Sequence, residues 1–176
     1  SFNFINYRMM NNFINMENLK NKLDKYEIKD EKNKYVFRAD FKYMISSSIF
    51  FIIIAAIAIH SIYKGISGIE KFTPLRVVFI AILLGYVVVA AFLLFNFKIV
   101  IESNKIFLKK INISMENIES ASVKIMRVNS SKVDKFLEII TKDKKKIQIR
   151  LNINNELLFL KLIQNQIGEK MDIQSI

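Results

Sequence analysis

The sequence predicts a membrane α+β protein: a transmembrane helical hairpin followed by a small antiparallel β-barrel capped by a C-terminal helix. Three observations predict it. Met44–Tyr63 and Val77–Phe97 are apolar runs with no Asp, Glu, Lys or Arg in either. At about 1.5 Å of rise per residue, roughly 20 such residues cross the hydrocarbon core of a bilayer. After Phe97 the apolar residues alternate with polar ones, which is the period of a half-buried strand. The last strongly patterned stretch, Leu160, Ile163 and Ile167, returns to helical spacing.

The chain divides at these changes of pattern into 1–43, 44–97 and 98–176. In the first part, Met16, Leu19, Leu23 and Tyr26 form one stripe of a short amphipathic helix, with Lys20, Lys22 and Lys25 off the stripe. That helix reads either as lying on a membrane surface or as a helix with one apolar side. Tyr35–Tyr43 mixes aromatic and basic residues, which suits an interfacial belt or a short strand equally. The spans are 44–63 and 77–97. Ala55 and Ala56 in the first, with Gly85, Ala90 and Ala91 in the second, are small residues that admit a neighbouring helix. They are assigned to packing of the hairpin on itself, with a homo-oligomer as the weaker use. The link Lys64–Arg76 carries Gly65, Gly68 and Pro74, which stop one helix and open the next.

In the third part, Lys98–Glu102, Lys105–Leu108 and Lys110–Ile113 read as short strands, with a turn at Ser103–Asn104. Ser114–Ile118 is a polar crossing, and Ala121, Val123 and Ile125 share one face of the next strand. A loop with Asn129, Ser130 and Ser131 precedes Phe136–Thr141, and the Lys142–Lys145 turn leads into Ile147, Ile149 and Leu151 facing inward. Asn154 or Asn155 caps the final helix and Gly168 ends it. Five to seven strands with one covering helix make a barrel or sandwich whose open end is closed.

Charge narrows the function. The chain holds 27 Lys and Arg against 16 Asp and Glu, a net charge of +11. Nine bases lie in 1–43 and fifteen in 98–176, against three in the link, so the excess flanks the spans rather than forming one nucleic-acid face. Nucleic acid is therefore not the expected partner. Near the membrane, 25–43 carries six bases and 98–117 four, against three in the link. The positive-inside rule then places both termini in the cytoplasm and the link outside, as a two-span protein of the cell membrane. There is no cysteine and a single histidine, His60, which excludes disulfides, thiolate metal sites and cysteine nucleophiles, and removes ordinary histidine-based zinc sites. No phosphate-binding glycine loop occurs. Glu116/Glu119 and Asp134/Glu138 are carboxylate pairs without a nucleophile nearby in sequence. Neither an enzyme nor a cofactor is expected.

The run FKIVIESNKIFLKK, then ISMENIESASVKI, KFLEIITKDKKKIQIRL and ELLFLKLIQNQI, resembles bacterial membrane proteins with a pleckstrin-homology-like (PH-like) domain. The acidic entry Glu116-Asn117-Ile118-Glu119-Ser120-Ala121 and the charged hairpin turn carry the likeness, which spans about 40–176. It implies a seven-stranded PH-like barrel over 98–176 with a binding or scaffolding role, and it transfers no catalytic residue. The expected partners are the bilayer, anionic lipid headgroups and a membrane or cytoplasmic protein. Lys109 and Lys110, one strand's return from the bilayer, and the cluster Lys142, Lys144, Lys145 and Lys146 are the candidate headgroup contacts. The alternative is a small accessory or immunity-type subunit that acts through its transmembrane helices.

Overall fold

The structure, a computed structural model, describes residues 15–128 and 133–173. It resolves into two compact units. One comprises the chain up to Arg38 together with Lys98 onward, and the other is Ala39–Phe97.

The second unit is the helical hairpin: α2 is Phe41–Ile66 and α3 is Pro74–Phe95. Both are long and apolar enough to cross a membrane. Asp40 caps α2 by accepting from Lys42 N at 3.0 Å, and Thr73 caps α3 with Pro74 at its first position. Only Ala58 and Ile80 are buried in the two helices, so nearly all of their apolar surface faces outward. A soluble core helix would hide that surface. The buried and half-buried positions include one row, Met44, Ser48, Phe51, Ala55, Ala58, Ile62 and Gly65 on α2 and Arg76, Ile80, Leu83, Val87, Ala90 and Leu94 on α3. Half-buried Tyr43, Ser47, Ile54, Ser61 and Lys64 border it on α2, and Leu84 and Ala91 on α3. Members of the row alternate by three and four residues, the spacing of antiparallel helices packed along a seam. Arg76 ties the ends together: its Nε donates to Ser61 Oγ at 3.0 Å, and it pairs with Glu70 at 2.7 Å. Its guanidinium also lies 5.7 Å from the Phe72 ring, and that ring occupies the space a side chain at Gly65 would need. Lys64 holds the other side of Glu70, and these hydrogen bonds, Lys64 first, keep the Glu70 carboxyl below its ordinary pKa.

The first unit contains helix α1 (residues 15–24) and strands β1 (Lys34–Arg38), β2 (Lys98–Glu102), β3 (Lys105–Leu108), β4 (Ile111–Ser114), β5 (Ile118–Arg127), β6 (Val133–Thr141) and β7 (Lys146–Arg150), then α4 (Glu156–Ile167) and the short β8 (Met171–Ile173). They form two four-stranded sheets, ordered β1-β2-β3-β4 and β7-β6-β5-β8. The expected closed barrel is thus two open sheets. A 3₁₀ turn, Met115–Asn117, breaks the chain between them, and β4 and β7 are left as edges. Among the described residues all pairings are antiparallel except β5 with β8, a parallel strand that the sequence pattern does not announce. The loop expected at Asn129–Ser131 lies outside the described residues. The strands flanking it form one hairpin in which Arg127 pairs with Val133.

The largest departure from the sequence division concerns residues before the hairpin. β1 pairs with β2 along its whole length, from Lys34↔Glu102 to Arg38↔Lys98. Phe37 is buried and meets Phe159 of α4 edge-to-face at 5.1 Å. Met16, Leu19 and Leu23 of α1 are buried as well, and Lys161 of α4 donates to the Leu23 carbonyl at 3.1 Å. The amphipathic stripe is therefore spent on the core of this unit, not on a membrane surface. The β-unit is discontinuous in sequence: the hairpin is an insertion between two neighbouring strands. Asn154, expected as a helix cap, instead accepts from Arg38 N through Oδ1 at 2.8 Å and donates its own N–H to the Arg38 carbonyl at 2.9 Å. Asn155 takes the cap position in a left-handed conformation and makes no side-chain cap bond.

Candidate functional site

Strand register decides which bases meet. Arg38 lies opposite Lys98, Ile99 opposite Leu108, and Leu108 opposite Ile111. The β3–β4 turn, Lys109–Lys110, therefore sits at the same end of the first sheet as Arg38 and Lys98. This is the end at which the chain leaves for the hairpin and returns from it. All four side chains are exposed, and none has an ion-pair partner among the described residues. Lys109 has φ +50°, a left-handed turn position that aims the two adjacent lysines out of the ladder.

The second cluster behaves differently. Lys144 pairs with Glu119 at 2.7 Å, Lys145 with Asp143 at 2.7 Å, and Lys146 with Glu138 at 2.7 Å. Of the four lysines that stand out in sequence, Lys142 alone lacks an acidic partner among the described residues. Three nearby carboxylates thus offset most of that field. The sequence spacing hides this, because Glu119 and Glu138 arrive from β5 and β6. The Lys145 hydrogen bond holds Asp143 at a pKa of about 2 and correspondingly raises that of Lys145.

Glu138 is the most constrained charge in the unit. It is 4% exposed, on the outer face of the central strand β6, between Lys124 of β5 and Lys146 and Gln148 of β7. Lys124 Nζ donates to one oxygen at 2.9 Å; Gln148 Nε2, at 3.2 Å, and Lys146, at 2.7 Å, donate to the other. Those donors, led by Lys146, hold its pKa down to about 2 against the desolvation that would raise it. With every oxygen engaged by cations, Glu138 is built to bind strands together and has no proton to exchange near neutrality. Asp134 is likewise held by Arg150 across the β6–β7 pair. Among the described residues no group of three His, Asp or Glu could hold a metal.

The two basic turns meet at a cavity of about 300 Å³ between the sheets, lined by Lys110, Ile111, Asn112 and Ile113 on one side and by Asn117, Thr141, Asp143, Lys145 and Ile147 on the other. Lys142 N donates to the Asn117 carbonyl at 2.8 Å, which fixes the β6–β7 turn beside the crossing. Lys110 and Lys145, one from each of the two clusters the sequence presents, thus line one cavity, while Arg38 and Lys98 join Lys109 and Lys110 in one basic group. The sequence reading missed Arg38 and Lys98 as members of it. Their position next to the spans was the available signal, but the pairing that places them beside Lys109 is not local.

In the hairpin, Ala55, Ala90 and Ala91 are half-buried, while Ala56 and Gly85 are exposed, with nothing within 4 Å of a Cβ at Gly85. Ala58, a small residue of the same stretch, is the one fully buried residue of α2. Comparison of the chain with protein-family models, with curated proteins and with solved structures finds no match.

Proposed function

We propose that this chain is a non-enzymatic, two-span membrane protein whose PH-like β-unit binds anionic lipid headgroups at the hairpin end of its first sheet. The observation that carries the reading is the register that gathers Arg38, Lys98, Lys109 and Lys110 at the end from which both connections to the apolar helices depart. Each base near an anionic leaflet contributes about 1 kcal/mol, and these four are unopposed by acids, whereas most of the Lys142–Lys146 group is neutralised. The PH-like assignment draws support from four antiparallel strands, three more, then a helix that packs Phe159 into the core. Because β1 and β2 are adjacent, two membrane crossings return the chain to the side it left. Both termini then share that side, and the excess of bases there makes it the cytoplasmic one.

The test uses the full chain in vesicles, with a single cysteine at exposed Asn112 carrying a fluorophore, and a nitroxide quencher on the lipid headgroup. Quenching is expected to rise when neutral lipid is replaced in part by anionic lipid, to fall with salt, and to be lost in K109E/K110E. Equal quenching in neutral and anionic vesicles would refute the headgroup reading. A second reading, an accessory subunit that works through its spans, rests on the open outward face at Gly85 and predicts that G85L abolishes function while leaving headgroup quenching intact.

A further inference from the structure

We infer that the cleft between β4 and β7 takes an acidic, extended segment of a partner protein as an added strand on β4. This does not rest on the lipid reading. Each sheet ends at this cleft, β4 closing one order and β7 the other. A free edge presents unpaired N–H and C=O groups, and proteins ordinarily blunt it with charge, proline or a bulge. β7 is blunted by Lys146 and Arg150, both held in ion pairs across its sheet. β4 has none of these devices: its sequence is Ile111-Asn112-Ile113-Ser114, its pairing to β3 is regular, and Ile111 is 42% exposed. The edge opens onto the cavity of about 300 Å³ rather than onto a covering helix.

Charge selects the occupant. Lys110 and Lys145 stand on either side of the cleft, and the one acid in the lining, Asp143, is already taken by Lys145, which leaves Lys110, next in sequence to unpaired Lys109, as the free cation of the lining. An incoming strand that bonds to β4 and directs a carboxylate at Lys110 satisfies both the edge and the charge. A second copy of this chain, itself carrying +11, does not.

The experiment uses the full chain in nanodiscs of neutral lipid only, which removes any headgroup contribution. The probe is a fluorescein-labelled hexapeptide alternating glutamate with valine. Binding by anisotropy is expected, with hydrogen exchange at residues 111–114 slowed at least tenfold. A lysine–valine counterpart and a version interrupted by proline should not bind, and K110E should weaken binding at least tenfold. Binding without protection of 111–114 would mean electrostatic adhesion alone and would overturn the proposal. So would equal binding of the proline peptide, or no binding at all.

Discussion

At the scale of single residues, the β-unit is held by polar groups whose partners are distant in sequence. Glu138 illustrates the cost of separating them. Its folded pKa of about 2 lies below the ordinary 4.5, so its ionised form stabilises the fold fully above pH 4.5. That contribution fades as pH falls from there toward 2. E138Q is expected to lower stability near neutrality by about 1–2 kcal/mol, because Lys124 and Lys146 reach solvent and rehydrate in part. It should also flatten the loss of stability between pH 4.5 and 2. Thermal unfolding of wild type and variant across that range checks both. Asn154 makes a comparable link, and N154A leaves Arg38 N without its acceptor. A loss of about 1 kcal/mol with faster amide exchange at Arg38 is the expected result.

At the scale of elements, the hairpin seam is set by spacing rather than by the smallest residues. Ala58 is fully buried between α2 and α3, whereas Gly85 looks away from α2 into open space. Inserting a larger side chain at the seam forces the helices apart, so A58L should destabilise the hairpin by about 1–3 kcal/mol. G85L should stay within about 0.5 kcal/mol, since it adds helix propensity without a clash. Unfolding in detergent, followed by helical circular dichroism, separates the two. An equal effect of both would mean that the seam has been placed on the wrong face.

At the scale of the whole molecule, the insertion of the hairpin between neighbouring strands makes the β-unit separable in an unusual way. Arg38 and Lys98 lie directly opposite each other, so replacing residues 39–97 by a two-residue Asn-Gly turn joins β1 to β2 as an ordinary hairpin. The product is expected to be soluble without detergent, with cooperative unfolding. A fragment starting at Lys98 lacks β1 and α1, and with them the buried Phe37, Met16, Leu19 and Leu23. It should expose Phe159 and Ile99 and aggregate. If both fragments behave alike, the discontinuous domain is wrong.

Sequence alone determined what depends on near neighbours. The two apolar helices, the strand alternation of 98–102, 105–108 and 146–150, and the Ser103–Asn104 turn follow from residue periods and turn chemistry that act over a few positions. Tertiary structure alone decided which of these segments are partners. The pairing of β1 with β2 spans the whole hairpin, so residues 34–38 carry no local mark distinguishing an edge strand from an interfacial belt. The same holds for charge: Lys144, Lys145 and Lys146 look like the strongest basic site until Glu119 and Glu138 arrive from other strands. Lys109 and Lys110 gain Arg38 and Lys98 only through register. Local periodicity fixes an element because its energy is short-ranged. The basic surface here is a sum of charges brought together by long-range strand pairing, which no window of the chain contains.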